Sequence, residues 1–327
     1  MRPNQLSRYG AIARMLPFTP GKIFFVTSTS DSWTPDFLNE FPVDSDGQVR
    51  VFTDVKSAYD ATVSGRNDVI ILDGNTTHSL TAMLTVSKNR VHFIGIDWLL
   101  GDRRHYGQSS KIQLPVTTTV TDVAVIKNTG IRNSFRGIKI DNSNTLTQSI
   151  YGFMEGGEYT YFKNCEIYNA THLTTTTAAE LVLNGDSAKF KDCTIGSLAN
   201  AQTGTTIRPC IELANGTVAA GKVMRDCMFE NCLLWKNSGH VNSRFVRATA
   251  SADVERMLLM KDCSFVNAAN SAAVPAQAVS SDASLTVGAI MLKNCSGFNV
   301  TKLSTTIGVL VDGAAPNFGT GIAVNAA

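Results

Sequence analysis

The chain predicts an all-β solenoid, a ribbon wound into stacked coils, and three observations carry that expectation. A short pattern recurs five times: an apolar residue, a basic one, Asn or Asp, Cys, any residue, then an apolar residue, often followed by Asn. The copies begin Phe162-Lys163-Asn164-Cys165, Phe190-Lys191-Asp192-Cys193, Met224-Arg225-Asp226-Cys227, Met260-Lys261-Asp262-Cys263 and Leu292-Lys293-Asn294-Cys295. Their cysteines are 28, 34, 36 and 32 residues apart, a period that marks stacked repeats. Hydrophobic residues make up 43% of the 327 and charged residues only 17%, which suits strands with polar turns. Only one stretch has helical periodicity, and the rest alternates short apolar runs with turn residues.

Taken in order, residues 1–22 form a basic arm with Arg2, Arg8 and Arg14, interrupted by Pro3, Pro17 and Pro20. Lys22 to Val26 is a strand, and residues 27–48 read as a loop anchored by Trp33, Phe37 and Phe41. Val49 to Phe52 is a short strand. Thr53 or Asp54 caps a helix over Val55 to Val63, with Val55, Ala58, Tyr59 and Thr62 on one face. Strands follow over Asp68 to Leu72, Leu80 to Val86 and Val91 to Ile96, separated by Asp73-Gly74-Asn75 and Ser87-Lys88-Asn89-Arg90. Trp98, Arg103 and Arg104 lie in a dense aromatic and charged cluster, a protruding loop over 97–110 suited to contacting a partner. Second strands are expected at 137–140, 179–183, 210–213, 244–246 and 287–292. The Thr-, Ala- and Asn-rich connections between them vary in length, as insertions on one face of a solenoid do. Boundaries fall at 1–48 for the arm with its first strand and loop, 49–312 for the coil and 313–327 for a Gly- and Ala-rich tail, which is a last coil or a trimerising end.

In a stacked coil inward side chains pile on their own kind. Phe162, Phe190, Met224, Met260 and Leu292 form one expected apolar column, and Ile167, Ile195, Phe229 and Phe265 a second. Cys165, Cys193, Cys227, Cys263 and Cys295 form a column of buried thiols, which suits synthesis in a reducing cytoplasm. Asn164, Asp192, Asp226, Asp262 and Asn294 form a column that bonds turn backbone. Three stacked acids could instead hold Ca²⁺, but Lys191, Arg225 and Lys261 offer them a nearer partner. The composition assigns no metal and no cofactor. A net charge of +2 argues against nucleic acid as the main partner. No apolar run reaches the roughly 18 residues of a membrane span, and the first residues lack the apolar core of a secretion signal.

The order helix, Asp68-Val-Ile-Ile-Leu72, Gly74, Val91-His-Phe-Ile-Gly95 resembles the opening of right-handed parallel β-helices of the pectate-lyase-like kind, over roughly residues 50–310. In that superfamily the helix covers the open end of the coil, but the fold hosts many functions. Its glycosidases and lyases use two or three carboxylates near the middle of one sheet, often with Arg or His. Of the polygalacturonase motifs only fragments occur here, Gly239-His240 and Arg136-Gly-Ile-Lys139, and there is no Asp-Asp pair. Glu155, Glu158, Glu180 and Glu212 are candidate acids, each read more readily as a solvated strand or loop position. No pair among the five histidines has metal spacing.

The arm, the Phe24-Phe25-Val26 strand and the Ser/Thr/Asp loop ahead of the coil also resemble β-helix proteins that tailed phages encode among their head genes. That resemblance implies a non-enzymatic decoration or cement protein on the capsid surface of the virion, a homotrimer seated on the major capsid protein lattice. Two alternatives stay open: a tailspike-like protein that binds or depolymerises host glycan, and a cellular polysaccharide lyase or hydrolase.

Overall fold

The computed structural model describes residues 21–27, 47, 49–74, 76–96, 110–115, 123–144, 150–169, 178–198, 202, 208–214, 216–269, 273–312 and 322–323. All strand pairings but one among the described residues are parallel, and beyond the first strands each joins a strand to its counterpart one turn of chain later. The result is a right-handed parallel β-helix with three sheets. The first has eleven strands, running from Val51–Phe52 through Ile23–Val26, Asp68–Leu72, Val91–Gly95, Ser134–Arg136, Tyr161–Lys163, Lys189–Lys191, Cys227–Glu230, Met257–Lys261 and Ala289–Lys293 to Val309–Val311. The second has nine, among them Lys139–Asn142, Glu166–Asn169, Thr194–Gly196, Leu233–Lys236, Ser264–Asn267 and Ser296–Phe298. The third has seven, among them Ala124–Asn128, Tyr151–Glu155, Ala179–Leu183, Ile211–Leu213, Val246–Ala248 and Val279–Ser281. Three strands per turn, rather than two, place the expected strand at 287–292 in the first sheet, as Ala289–Lys293.

The core is a pile of rings. Phe93, Phe135, Phe162, Phe190 and Phe229 stack with centroids 5.1, 5.0, 4.3 and 4.4 Å apart and planes within 13°. Met260, Leu292 and Val311 continue the column by register. Here the expected repeat is corrected. Phe190 pairs with Phe229, and Phe229 with Met260, so the third copy is Phe229-Glu230-Asn231-Cys232 and not Met224-Arg225-Asp226-Cys227. Phe229 therefore belongs to the first apolar column. The second holds Ile140, Ile167, Ile195, Leu234 and Phe265. Asp226 and Cys227 lie one corner earlier in the coil. Met228 pairs with Lys189, which puts Cys227 beside the buried Ala188 of the preceding rung, with its thiol near Gly185 O. Two cysteines five residues apart both fit the pattern, and stacking on Phe190 decides between them.

The corner between the first and second sheets is a tight bend. Gly137, Asn164, Asp192, Asn231, Asp262 and Asn294 occupy it in turn, with φ between 51° and 61°. That left-handed conformation costs most L-residues ~1–2 kcal/mol, and Asn and Asp tolerate it best. The column also bonds itself: Asn231 Nδ2 donates to Asp192 Oδ1 at 2.8 Å, and Asn294 Nδ2 to Asp262 Oδ1 at 2.6 Å. Asp226 (φ 46°) shares another corner column with Arg90, Arg132, Tyr159 and Ser187.

The helix α1, Val55–Ala61, lies at the N-terminal end of the coil with Val55, Ala58 and Tyr59 buried. Asp54 caps it by accepting from Ser57 N at 2.8 Å. Its last carbonyls are taken by Lys88, whose Nζ donates to Tyr59 O, Asp60 O and Thr62 O at 2.8 to 2.9 Å. Tyr59 stacks on Phe93 at 6.2 Å, so the helix continues the ring pile. Among the described residues no helix is long and apolar enough to cross a membrane.

Candidate functional site

Residue by residue, the repeat divides between inside and outside. The thiols of Cys165, Cys193, Cys232, Cys263 and Cys295 stack rung to rung and are at most 3% exposed. Each also reaches backbone carbonyls: Cys165 Sγ lies 3.2 Å from Phe135 O and Cys232 Sγ 3.5 Å from Phe190 O. Burial and its thiol neighbours push Cys193 well above the ordinary thiol range. The basic position faces out. Arg136, Lys163, Lys191, Glu230, Lys261 and Lys293 form one row along the first sheet. Glu230 stands where the other members are cations, and Lys189 and Lys191 close on it at 2.6 and 3.0 Å. Those two contacts hold its carboxyl down at about 2.

Three of the four candidate acids are not solvated, contrary to expectation. Glu155, Glu180 and Glu212 are at most 7% exposed. Glu155 turns inward at the end of its strand, where Asn128 Nδ2, Gly157 N and Thr160 Oγ1 all donate to it. Burial pushes it up to about 7 against those three donors. Glu180 meets Arg208 at 3.2 Å in a wholly buried cluster. Lys236 completes that cluster by donating to Arg208 O and to Ser243 Oγ. Burial lowers Lys236 to about 8 and raises Glu180 despite its cation. Lys236 sits in register with Asn267 at a corner where Asn142 and Asn169 donate to the carbonyls of Tyr151 and Ile150. It is a cation standing in an asparagine column. Glu158 is held by Lys222.

Glu212 alone faces out from the third sheet, in a row with Lys127, Met154, Val182, Arg247 and Ser280. The middle of that row is apolar and roofed by Ala214 and Val218. Burial raises Glu212 to about 7, while Arg247, bound to Asp282 at 2.5 Å, pulls it down. The sheet middle thus holds one nearly buried carboxyl. The motif fragments stay apart as well. Arg136 lies over the Tyr161 ring on the first sheet at 4.9 Å, whereas His240 follows a second-sheet strand and accepts from Asn242 N. Among the described residues no group of three or more His, Cys, Asp or Glu could hold a metal ion.

The start of the first strand is tightly built. Ile23–Val26 lies inside the first sheet, paired with Val51–Phe52 on one side and Asp68–Leu72 on the other, and all four of its residues are buried. Asp68, fully buried, accepts from Lys22 N at 2.8 Å, Val63 N at 2.7 Å and the Arg66 guanidinium at 2.6 Å. One carboxylate thereby ties the residue just before the first strand, the end of α1 and the following turn. Gly21 has no room for a side chain, since a Cβ would come 2.3 Å from Arg66 O. Arg2, Arg8, Arg14, Trp98, Arg103, Arg104 and the anchors Trp33, Phe37 and Phe41 lie outside the described residues. Sequence reasoning missed Asp68 as a hub and the Glu180–Arg208–Lys236 cluster. Only an Arg and a Lys among apolar strand residues hinted at the latter.

No protein-family model matches the chain, and no curated protein does. Solved structures do match. A pectin methylesterase in complex with a hexasaccharide is 15% identical over 86% of this chain and 81% of its own, with a TM-score of 0.56. The pectate lyase Pel9A is 13% identical over 94% and 74%, with a TM-score of 0.53. ORF18 of Geobacillus virus E2 is 14% identical over 82% and 50%, at 0.46. At these identities the likeness is one of fold.

Proposed function

We propose that this chain is a structural component of a tailed-phage virion, a decoration or cement protein of the head, and not a saccharide-cleaving enzyme. The observation that carries the reading is the root of the arm. A strand with parallel partners on both sides, locked by Asp68, can bear load between a docking arm and a rod. Charge pairs on the outside support it. Lys139–Glu166, Lys189–Glu230, Arg225–Glu255, Arg256–Asp226 and Arg247–Asp282 each tie neighbouring rungs. These surface charges brace the coil itself. The arm and one lateral face seat a homotrimer on the major capsid protein lattice.

The test is co-sedimentation of the purified chain with empty heads of the encoding phage. Saturable binding at a fixed ratio to capsid protein is expected. A chain that stays in the supernatant, or that shortens host surface polysaccharide, overturns the reading in favour of the tailspike-like alternative.

A further inference from the structure

From Tyr168 to Phe298 the outer face of the second sheet carries an aromatic side chain on every second rung. Trp235 pairs with Gly196 on one side and Val266 on the other, and Val266 pairs with Phe298. Tyr168 and Gly196 follow the paired Ile167 and Ile195, which extends the row to Tyr168, Gly196, Trp235, Val266, Phe298. These residues alternate with Ile167, Ile195, Leu234 and Phe265, all fully buried, so their side chains point outward. Tyr168, Trp235 and Val266 are partly exposed, and Phe298 is 50% exposed. Rungs are ~4.8 Å apart, so the aromatic positions recur every ~9.5 Å along the coil axis. Between the first two stands a residue with no side chain, and between the last two a small one.

Tyr168 is flanked by charge: Asp141 stands opposite it on the neighbouring strand, and Lys139 Nζ lies 4.7 Å from its ring centroid. Spaced aromatic groups on a flat sheet, with polar side chains beside them, suit a ribbon whose apolar ring faces recur at the same interval. An extended β-1,4-linked hexose chain is such a ribbon. Alternate sugars turn over, and the same face returns every second residue, at the length of two rungs. Each of its pyranose rings offers a C–H face to an aromatic ring and hydroxyls to the flanks.

We propose that this face binds an extended β-1,4-linked hexose polysaccharide lengthwise along the coil, one sugar ring on each of Tyr168, Trp235 and Phe298. The site is independent of the arm and of its docking. It also lies on a different sheet from Glu212, and the proposal is of binding alone.

Tryptophan emission of the full chain, titrated with cellobiose, cellotetraose, cellohexaose and maltohexaose, tests it. Affinity should rise from cellobiose to cellohexaose as successive aromatic groups are engaged, and maltohexaose, which curls, should bind more weakly. Trp235→Ala and Phe298→Ala should each weaken cellohexaose about ten-fold. Phe298 is half exposed, so its removal leaves the melting temperature near that of the parent. Absence of cellohexaose binding, equal affinity for cellobiose or maltohexaose, or an F298A chain that binds like the parent would overturn the proposal.

Discussion

At the scale of single residues, the coil is specified by what each side chain stacks upon. Cys232 and Cys227 show this most sharply. Both follow an Asn or Asp, and both are buried, yet only Cys232 lies between Cys193 and Cys263. A double-mutant cycle separates them. Cys193→Ala with Cys232→Ala should show a coupling of at least ~0.5 kcal/mol, whereas Cys193→Ala with Cys227→Ala should be additive. Coupling in the second pair and not the first would restore the register read from the sequence alone. The buried carboxyls give a pH signature. Glu212 is raised to about 7 by burial, so between its ordinary value and that point the folded chain keeps a proton the unfolded chain has lost. Stability should therefore fall as pH rises across that window, by up to about 1.4 kcal/mol per pH unit, and level off above it. Glu155 adds a trend of the same sign. Urea midpoints measured across the window should decline, and Glu212→Gln should flatten the decline. An unchanged slope in that variant would mean that Glu212 is ionised throughout.

Elements show where local signals suffice. The strands at 23–26, 68–72 and 91–95 match their apolar runs to within a residue, because each is buried on both faces and nothing interrupts the pattern. The helix begins at its Asp54 cap as expected. What the sequence did not reveal is how its other end is satisfied, since Lys88 acts from 26 to 29 residues away. Lys88→Met keeps the stem but removes three donors from carbonyls at the helix end. It should cost on the order of 1–3 kcal/mol in chemical denaturation, and the loss should be absent if water replaces the ammonium at no cost. The long-range register was illegible for the same reason. The 170–177 and 199–207 connections change the step between rungs, and a period that drifts leaves two candidate copies where only packing on Phe190 can choose.

For the whole molecule, the sequence announced its architecture and hid its surface. Inward columns repeat, so a single chain displays them several times over. Outward rows such as Tyr168, Trp235 and Phe298 share no residue type and appear only once the rungs are aligned. Glu155, Glu180 and Glu212 were placed wrongly because burial of a carboxyl depends on how the rungs stack, as at the corner that holds Glu155 and in the cluster where Glu180 meets Arg208. A solenoid of this kind transmits load along its axis through parallel strands. The strand Ile23–Val26 is held on both sides, and the proposed attachment to the head through the residues that precede it is the central claim. Deleting residues 2–20 leaves Gly21, Asp68 and the first sheet intact, so the coil should keep its melting temperature while co-sedimentation with empty heads is lost. Undiminished binding of the truncated coil to the heads would contradict the account.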